Sequence, residues 1–161
     1  MKTNNIDDVF HLVRSNQLEE LKLNVNASNV NQFVNEYQQN LLHETISRGS
    51  LQITEYLIEC NIDVNKSDKD GKVPLHYSTA FNNYEITKLL LEKDNIEKDV
   101  KDIHGNNPLW VAVFNAKRFY DVVKILKQHG ADPNSKNNSN RSPLDFAKQI
   151  EDEDLVEILT S

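Results

Sequence analysis

Short bursts of apolar residues at helical spacing alternate with polar turns along the whole chain. Ile6, Val9, Phe10 and Val13 make the first stripe. Leu18 and Leu21 make a shorter one beyond the break at Ser15-Asn16-Gln17. A longer connection, Val25 to Val34, follows, with Phe33 or Val34 expected to pack back under the next pair. The pattern then predicts a helix over Leu41 to Arg48, a sharp turn at Gly49, and a second helix. That helix carries Ile53, Tyr56, Leu57 and Ile58 inside and Gln52, Glu55 and Glu59 outside. The next pair reads Pro74 to Phe81, a turn at Asn82-Asn83, then Ile86, Leu89, Leu90 and Leu91. Another runs from Pro108 to about Asn115 and continues in Val122, Val123, Ile125 and Leu126. The last opens at Ser142, a good N-cap, and Pro143, a good first position. It ends in Ile150, Leu155, Val156, Ile158 and Leu159, all expected to bury against the pair before.

These pairs are copies of one another. Asp70-Gly71-Lys72-Val73-Pro74-Leu75-His76 reads as a tight turn, closed by a left-handed Gly71, that feeds straight into a helix. Asn40-Leu41-Leu42-His43, Asn107-Pro108-Leu109-Trp110 and Ser142-Pro143-Leu144-Asp145 repeat the theme. Leu42, Leu75, Leu109 and Leu144 are separated by 33, 34 and 35 residues. A period in this range implies stacked units, so the four leucines are expected at equivalent buried positions along one stack.

At these residues the chain resembles the ankyrin-repeat family, whose hallmark is Thr-Pro-Leu-His early in each repeat. Val73-Pro74-Leu75-His76 matches three of the four positions, and the later copies keep the central Pro-Leu. The family's repeat ending, Gly-Ala-Asp-x-Asn, is matched by Gly130-Ala131-Asp132-Pro133-Asn134 and more weakly by Asn61-Ile62-Asp63-Val64-Asn65. The resemblance implies an all-α ankyrin-repeat solenoid of about five helix–turn–helix units with short hairpin loops. The units fall at roughly 5–34, 35–67, 68–101, 102–136 and 137–161, one domain over 1–161, with the first and last as caps. Two departures are expected: a one-residue insertion within Asp94 to Val100, and a protruding turn at Ala116 to Tyr120, two residues longer than the family spacing. The hairpin around Tyr37 lacks glycine and proline, so its order stays open.

Composition narrows the function. A net charge of −7 disfavours nonspecific nucleic-acid or anionic-membrane binding and is compatible with a basic partner. Cys60, the only cysteine, can form no internal disulfide and reads as a small packed residue, with a redox thiol as the alternative. Met1 to Asn5 shows no secretory leader and no segment reaches membrane-span length, which points to the cytoplasm. His11, His104 and His129 lie in different units without metal-ligand spacing. No glycine-rich phosphate loop or nucleophile motif occurs, so no enzyme, cofactor or metal is expected.

The resemblance gives His43 and His76 structural hydrogen bonds near their helix starts. It places partners on the hairpin tips and on the exposed side of each first helix. The tip residues are Tyr37 and Gln39, Lys69 and Lys72, Ile103 and His104, and Ser139 and Arg141. The helix residues are Ser47 and Arg48, Tyr77 and Phe81, Phe114 and Asn115, with Trp110 beside them. Aromatic and arginine side chains dominate interface energy, yet Tyr77, Phe81, Trp110 and Phe114 also suit a core between units. The likeness to small free-standing bacterial ankyrin proteins suggests a monomeric cytoplasmic immunity protein or inhibitor that occludes a toxin or enzyme. The alternative is a secreted effector or adaptor that binds a host protein.

Overall fold

The computed structural model describes residues 5–161. The reading of the amino terminus as leaderless rests largely on Met1 to Asn4 and lies outside the described residues. Among the described residues there are ten α-helices in five pairs. They are α1 (Ile6–Arg14) with α2 (Leu18–Asn24), α3 (Leu41–Arg48) with α4 (Leu51–Glu59), α5 (Pro74–Ala80) with α6 (Tyr84–Leu91), α7 (Pro108–Asn115) with α8 (Asp121–Gln128), and α9 (Pro143–Gln149) with α10 (Glu153–Thr160). The only strand-like pairing among them is a single bridge between Val34 and Asn40. This is the ankyrin solenoid.

Local chemistry starts each helix. Asn40, Asn107 and Ser142 cap α3, α7 and α9 through their side chains, and proline takes the first position of α5, α7 and α9. Each first helix turns into its second through a left-handed residue: Asn16, Gly49, Asn82, Arg118 and Glu151. Arg118 lies nine residues after Leu109, whereas Gly49 and Asn82 lie seven after Leu42 and Leu75. The α7–α8 turn is therefore two residues longer and carries Phe119 out into solvent. The extra residue after α6 also shows. Asn95 occupies the place of Asn61, 34 residues on, although α6 starts only 33 residues after α4.

First helices pack along one row, α1, α3, α5, α7, α9, and second helices along a looser one, α4, α6, α8, α10. Between the rows runs a continuous apolar core from Val9 to Leu159. Leu42, Leu75 and Leu109 are wholly buried within it. Leu144 is only half-buried, because one side of α9 meets another unit and the other does not. Ile150 was expected inside but is exposed: it is the C-cap of α9 and points off the helix end. Phe33 does pack back into the core, as the connection required.

Burial at equivalent motif positions sets the relative cost of truncation. Leu109→Ala should lose about 2–5 kcal/mol, and Leu144→Ala clearly less. Urea unfolding of the two variants measures this; equal losses would contradict the placement of the last unit.

Candidate functional site

Four hairpin tips are built on one plan. Asn35, Asp68, Asp102 and Asn137 each open a tip, and each side-chain Oδ1 accepts two backbone N–H groups. The donors are Tyr37 and Gln39, Asp70 and Lys72, His104 and Asn106, Ser139 and Arg141, at 2.9–3.0 Å except Asp70 at 2.8 Å. Each tip closes through a left-handed residue, Gln38, Gly71, Gly105 or Asn140. The first tip thus forms the same turn without glycine, because Asn35 clasps it. A Cβ on Gly105 would lie 2.8 Å from the backbone nitrogen of Asn138 in the next tip, so that approach requires glycine. Successive tips are tied by backbone bonds: Lys69 N–H donates to Tyr37 O, Ile103 to Asp70 and Asn138 to His104, at 3.0, 2.8 and 3.0 Å.

The fourth motif position adds a second tie. His43 Nε2 lies 3.2 Å from Lys72 O, and His76 Nε2 lies 3.0 Å from Asn106 O. A carbonyl only accepts, so Nε2 carries the proton in both rings. Nδ1 then accepts the backbone N–H of Asn40 or Val73, each at 3.2 Å. Burial pushes both imidazoles below their ordinary value of 6.5, partly opposed by those carbonyls. Trp110 takes this place in the fourth unit, and its buried Nε1–H has no acceptor among the described residues. Asp145 takes it in the fifth. Its carboxylate accepts from Ser142 N–H and pairs with Lys136, which holds it far below the usual carboxylate range.

The face made by the tips and first helices changes along its length. At the α1–α3 end it is charged, with Glu44 3.8 Å from Arg14 and 3.3 Å from Arg48. From α5 onward it is apolar. Trp110 and Phe114 stack with ring centres 5.3 Å apart, and Phe146 on α9 lies 5.7 and 5.5 Å from them. Phe114 remains 56% exposed and Phe81 57%. Beside them, Tyr77, Ala80, Phe81 and Val111 line a groove that Lys72 and His76 close.

The structure stacks Trp110 against Phe114 and leaves Phe81 exposed at the end of α5, in a groove beside Val111. Ile103 and Tyr37 stand exposed at their tips, Tyr37 with the Lys69 ammonium 5.9 Å from its ring centre. Lys72 pairs with Asp70, and His104 and Arg141 are exposed. Tyr77 belongs mainly to the joint between units. Its hydroxyl donates to Asp68 and accepts from Gln39, both at 2.7 Å, and its ring meets His43 edge-on. Burial and Asp68 push its ionisation well above the ordinary tyrosine range. Phe146 and Val111 belong to the face but escaped sequence reasoning. Phe146 lies four residues after Ser142, the place of Tyr77 in its own unit, and that equivalence was the signal.

Among the described residues no three His, Cys, Asp or Glu side chains gather as metal ligands, and no helix is long and apolar enough to cross a membrane. His11 and Ser15 approach to 3.3 Å, both exposed, as neighbours one turn apart on the first helix.

The sequence profile of the family "Ankyrin repeats (3 copies)" matches residues 9–102 and 75–137. A transient receptor potential cation channel subfamily A member 1 homolog of Caenorhabditis elegans is 31% identical over 100 residues, 62% of this chain and 8% of that protein. An ankyrin repeat protein of Fowlpox virus (strain NVSL) is 32% identical over 106 residues, 65% of this chain and 30% of that protein. An ankyrin repeat protein of Rickettsia felis is 26% identical over 138 residues, 84% of this chain and 45% of that protein. The chain thus spans less than half the length of each of these relatives.

The buried imidazoles make stability depend on pH. In the unfolded chain each binds a proton once the pH falls below about 6.5, while in the fold each resists doing so. Their contribution is complete above that pH and is lost as the pH falls toward the depressed folded values. NMR titration should give ring midpoints below 6.5 for His43 and His76, and urea stability should drop between about pH 7.5 and 5.5. Midpoints at or above the ordinary value would refute the tie they make.

Proposed function

Because the chain belongs to the ankyrin-repeat family, whose repeats bind other proteins, we propose that the apolar half of its first-helix face seats a partner protein. The observation that supports this most is the cluster of Trp110, Phe114 and Phe146, with exposed Phe81 in the groove beside Val111, a set of aromatic side chains that a water-facing surface gains nothing by displaying. Rigid aromatic groups on a stiff scaffold bury area at low entropic cost, which is what an interface centre requires. The units act together as one binding domain. The chain works as an inhibitor: a partner held against a concave row of helices has its own surface covered. The partner is a toxin or enzyme with a basic surface, drawn in faster by the −7 charge of this chain. Cys60, buried and free, suits the reducing interior of a cell.

The test pairs Phe81→Ala with Phe114→Ala. Both side chains are more than half exposed, so thermal melting should match the parent. Retention of the partner captured by the parent chain should fall by about 2 kcal/mol or more, roughly thirtyfold. Unchanged retention would remove the aromatic face from the site.

A further inference from the structure

A cleft of about 540 Å³ lies between the third and fourth tips, lined by His104, Asn106, Trp110, Asn137, Ser139 and Arg141. It sits where the stack's pattern breaks. In the two preceding joints a histidine donates across to the last residue of the next tip, Lys72 or Asn106. The equivalent residue here is Arg141, and Trp110 makes no such bond. Asn137 Nδ2 instead donates to Asn106 Oδ1 at 2.8 Å and joins the two tips.

Donors dominate the cleft. Among the described residues the Arg141 guanidinium has no ion pair, and the Ser139 hydroxyl and His104 ring have no side-chain partner. The Trp110 indole N–H, buried at the cleft wall, has no acceptor. No carboxylate lines it. Asp102 on the same tip accepts the N–H groups of His104 and Asn106, and Asp145 is held by Ser142 and Lys136. In a chain of net charge −7, a donor-rich cleft with an unpaired arginine and no acid is a local reversal of sign. Trp110 also belongs to the aromatic cluster, so cleft and apolar face are continuous.

We propose that this cleft receives an aspartate or glutamate side chain of the partner, next to apolar residues that lie on Trp110, Phe114 and Phe146. The proposal rests on the reading of that face as the partner's seat. Arg141 binds the carboxylate through its planar fork, a geometry that lysine cannot copy. Ser139 and His104 supply further donors. The partner's recognition segment therefore carries an acid at a fixed distance from an aromatic or aliphatic anchor. Its basic charge, where it steers approach, lies outside that segment.

The experiment selects a random displayed peptide library on the immobilised full chain. The best peptide is then compared with a copy in which the acid is replaced by its amide. Trp110 is the only tryptophan, so its indole N–H resonance reports on the cleft without ambiguity. Selected peptides should share an acid at constant spacing from an apolar anchor. The amide copy should bind about tenfold more weakly, and the acid peptide should move the indole resonance. Arg141→Gln, at an exposed position, should melt like the parent and abolish the difference between acid and amide. Equal binding of acid and amide, or a difference that survives Arg141→Gln, overturns the proposal. So does an equal shift of the indole by acetate or inorganic phosphate alone. If Phe114→Ala weakens the peptide while Arg141→Gln does not, the cleft falls and the face stands; if neither does, both fall.

Discussion

One backbone hydrogen bond, made three times, holds the units in register. The N–H at the second position of a tip donates to the carbonyl of the third position in the tip before it, at Lys69, Ile103 and Asn138. Main-chain groups make this link, so it does not depend on which side chains the linked residues Lys69, Ile103 and Asn138 carry. It requires only that the tips approach closely, which Gly105 allows by lacking a Cβ. A parallel set of side-chain links runs along the opposite edge. Asn31, Asn65 and Asp99 accept from the N–H groups of Asp63, Glu97 and Asp132, at 2.7, 3.0 and 3.1 Å. With both edges tied, each unit can bury its apolar side only against its neighbours, which is how solenoids gain stability.

This division of labour explains where the chain is free to vary. The links tolerate steps of 33, 34 and 35 residues because the extra residues fall away from them, after α6 and between α7 and α8. The partly buried outward positions of the first helices carry none of these backbone links, although the Tyr77 hydroxyl bonds Gln39 and Asp68. There the row Glu44, Tyr77, Val111, Phe146 passes from charge to aromatic, and the fourth motif position passes from His43 and His76 to Trp110 and Asp145. At Trp110 the side-chain link is given up and an apolar platform gained. Loss of a structural bond and gain of an apolar platform at this joint go with the one residue, Trp110.

Much of this was legible in the sequence. Pro-Leu pairs at a near-constant interval give the stack, and the motif histidines take the bonding role that the resemblance implied. The lengthened turn before α8 was expected from the family's spacing at Ala116 to Tyr120. Two things were not legible. The clasp by Asn35, which makes a tip without glycine, is hidden because asparagine is common in every loop of this chain. The face itself was seen only in part. Phe146 was not singled out at all, although its ring lies against Trp110 and Phe114 of α7, and Ile150 was expected to bury but stands exposed at the end of α9. Helical spacing says which residues share a face of one helix; which faces of successive helices adjoin depends on the joint between units.

The central claim is that tip-to-tip backbone bonds set the stack, and amide hydrogen exchange reads them one at a time. The N–H groups of Lys69, Ile103 and Asn138 should exchange slowly although their side chains are exposed. Exchange of these three amides at the rate of an unstructured loop would show that the tips are not joined, and the account would fail with them.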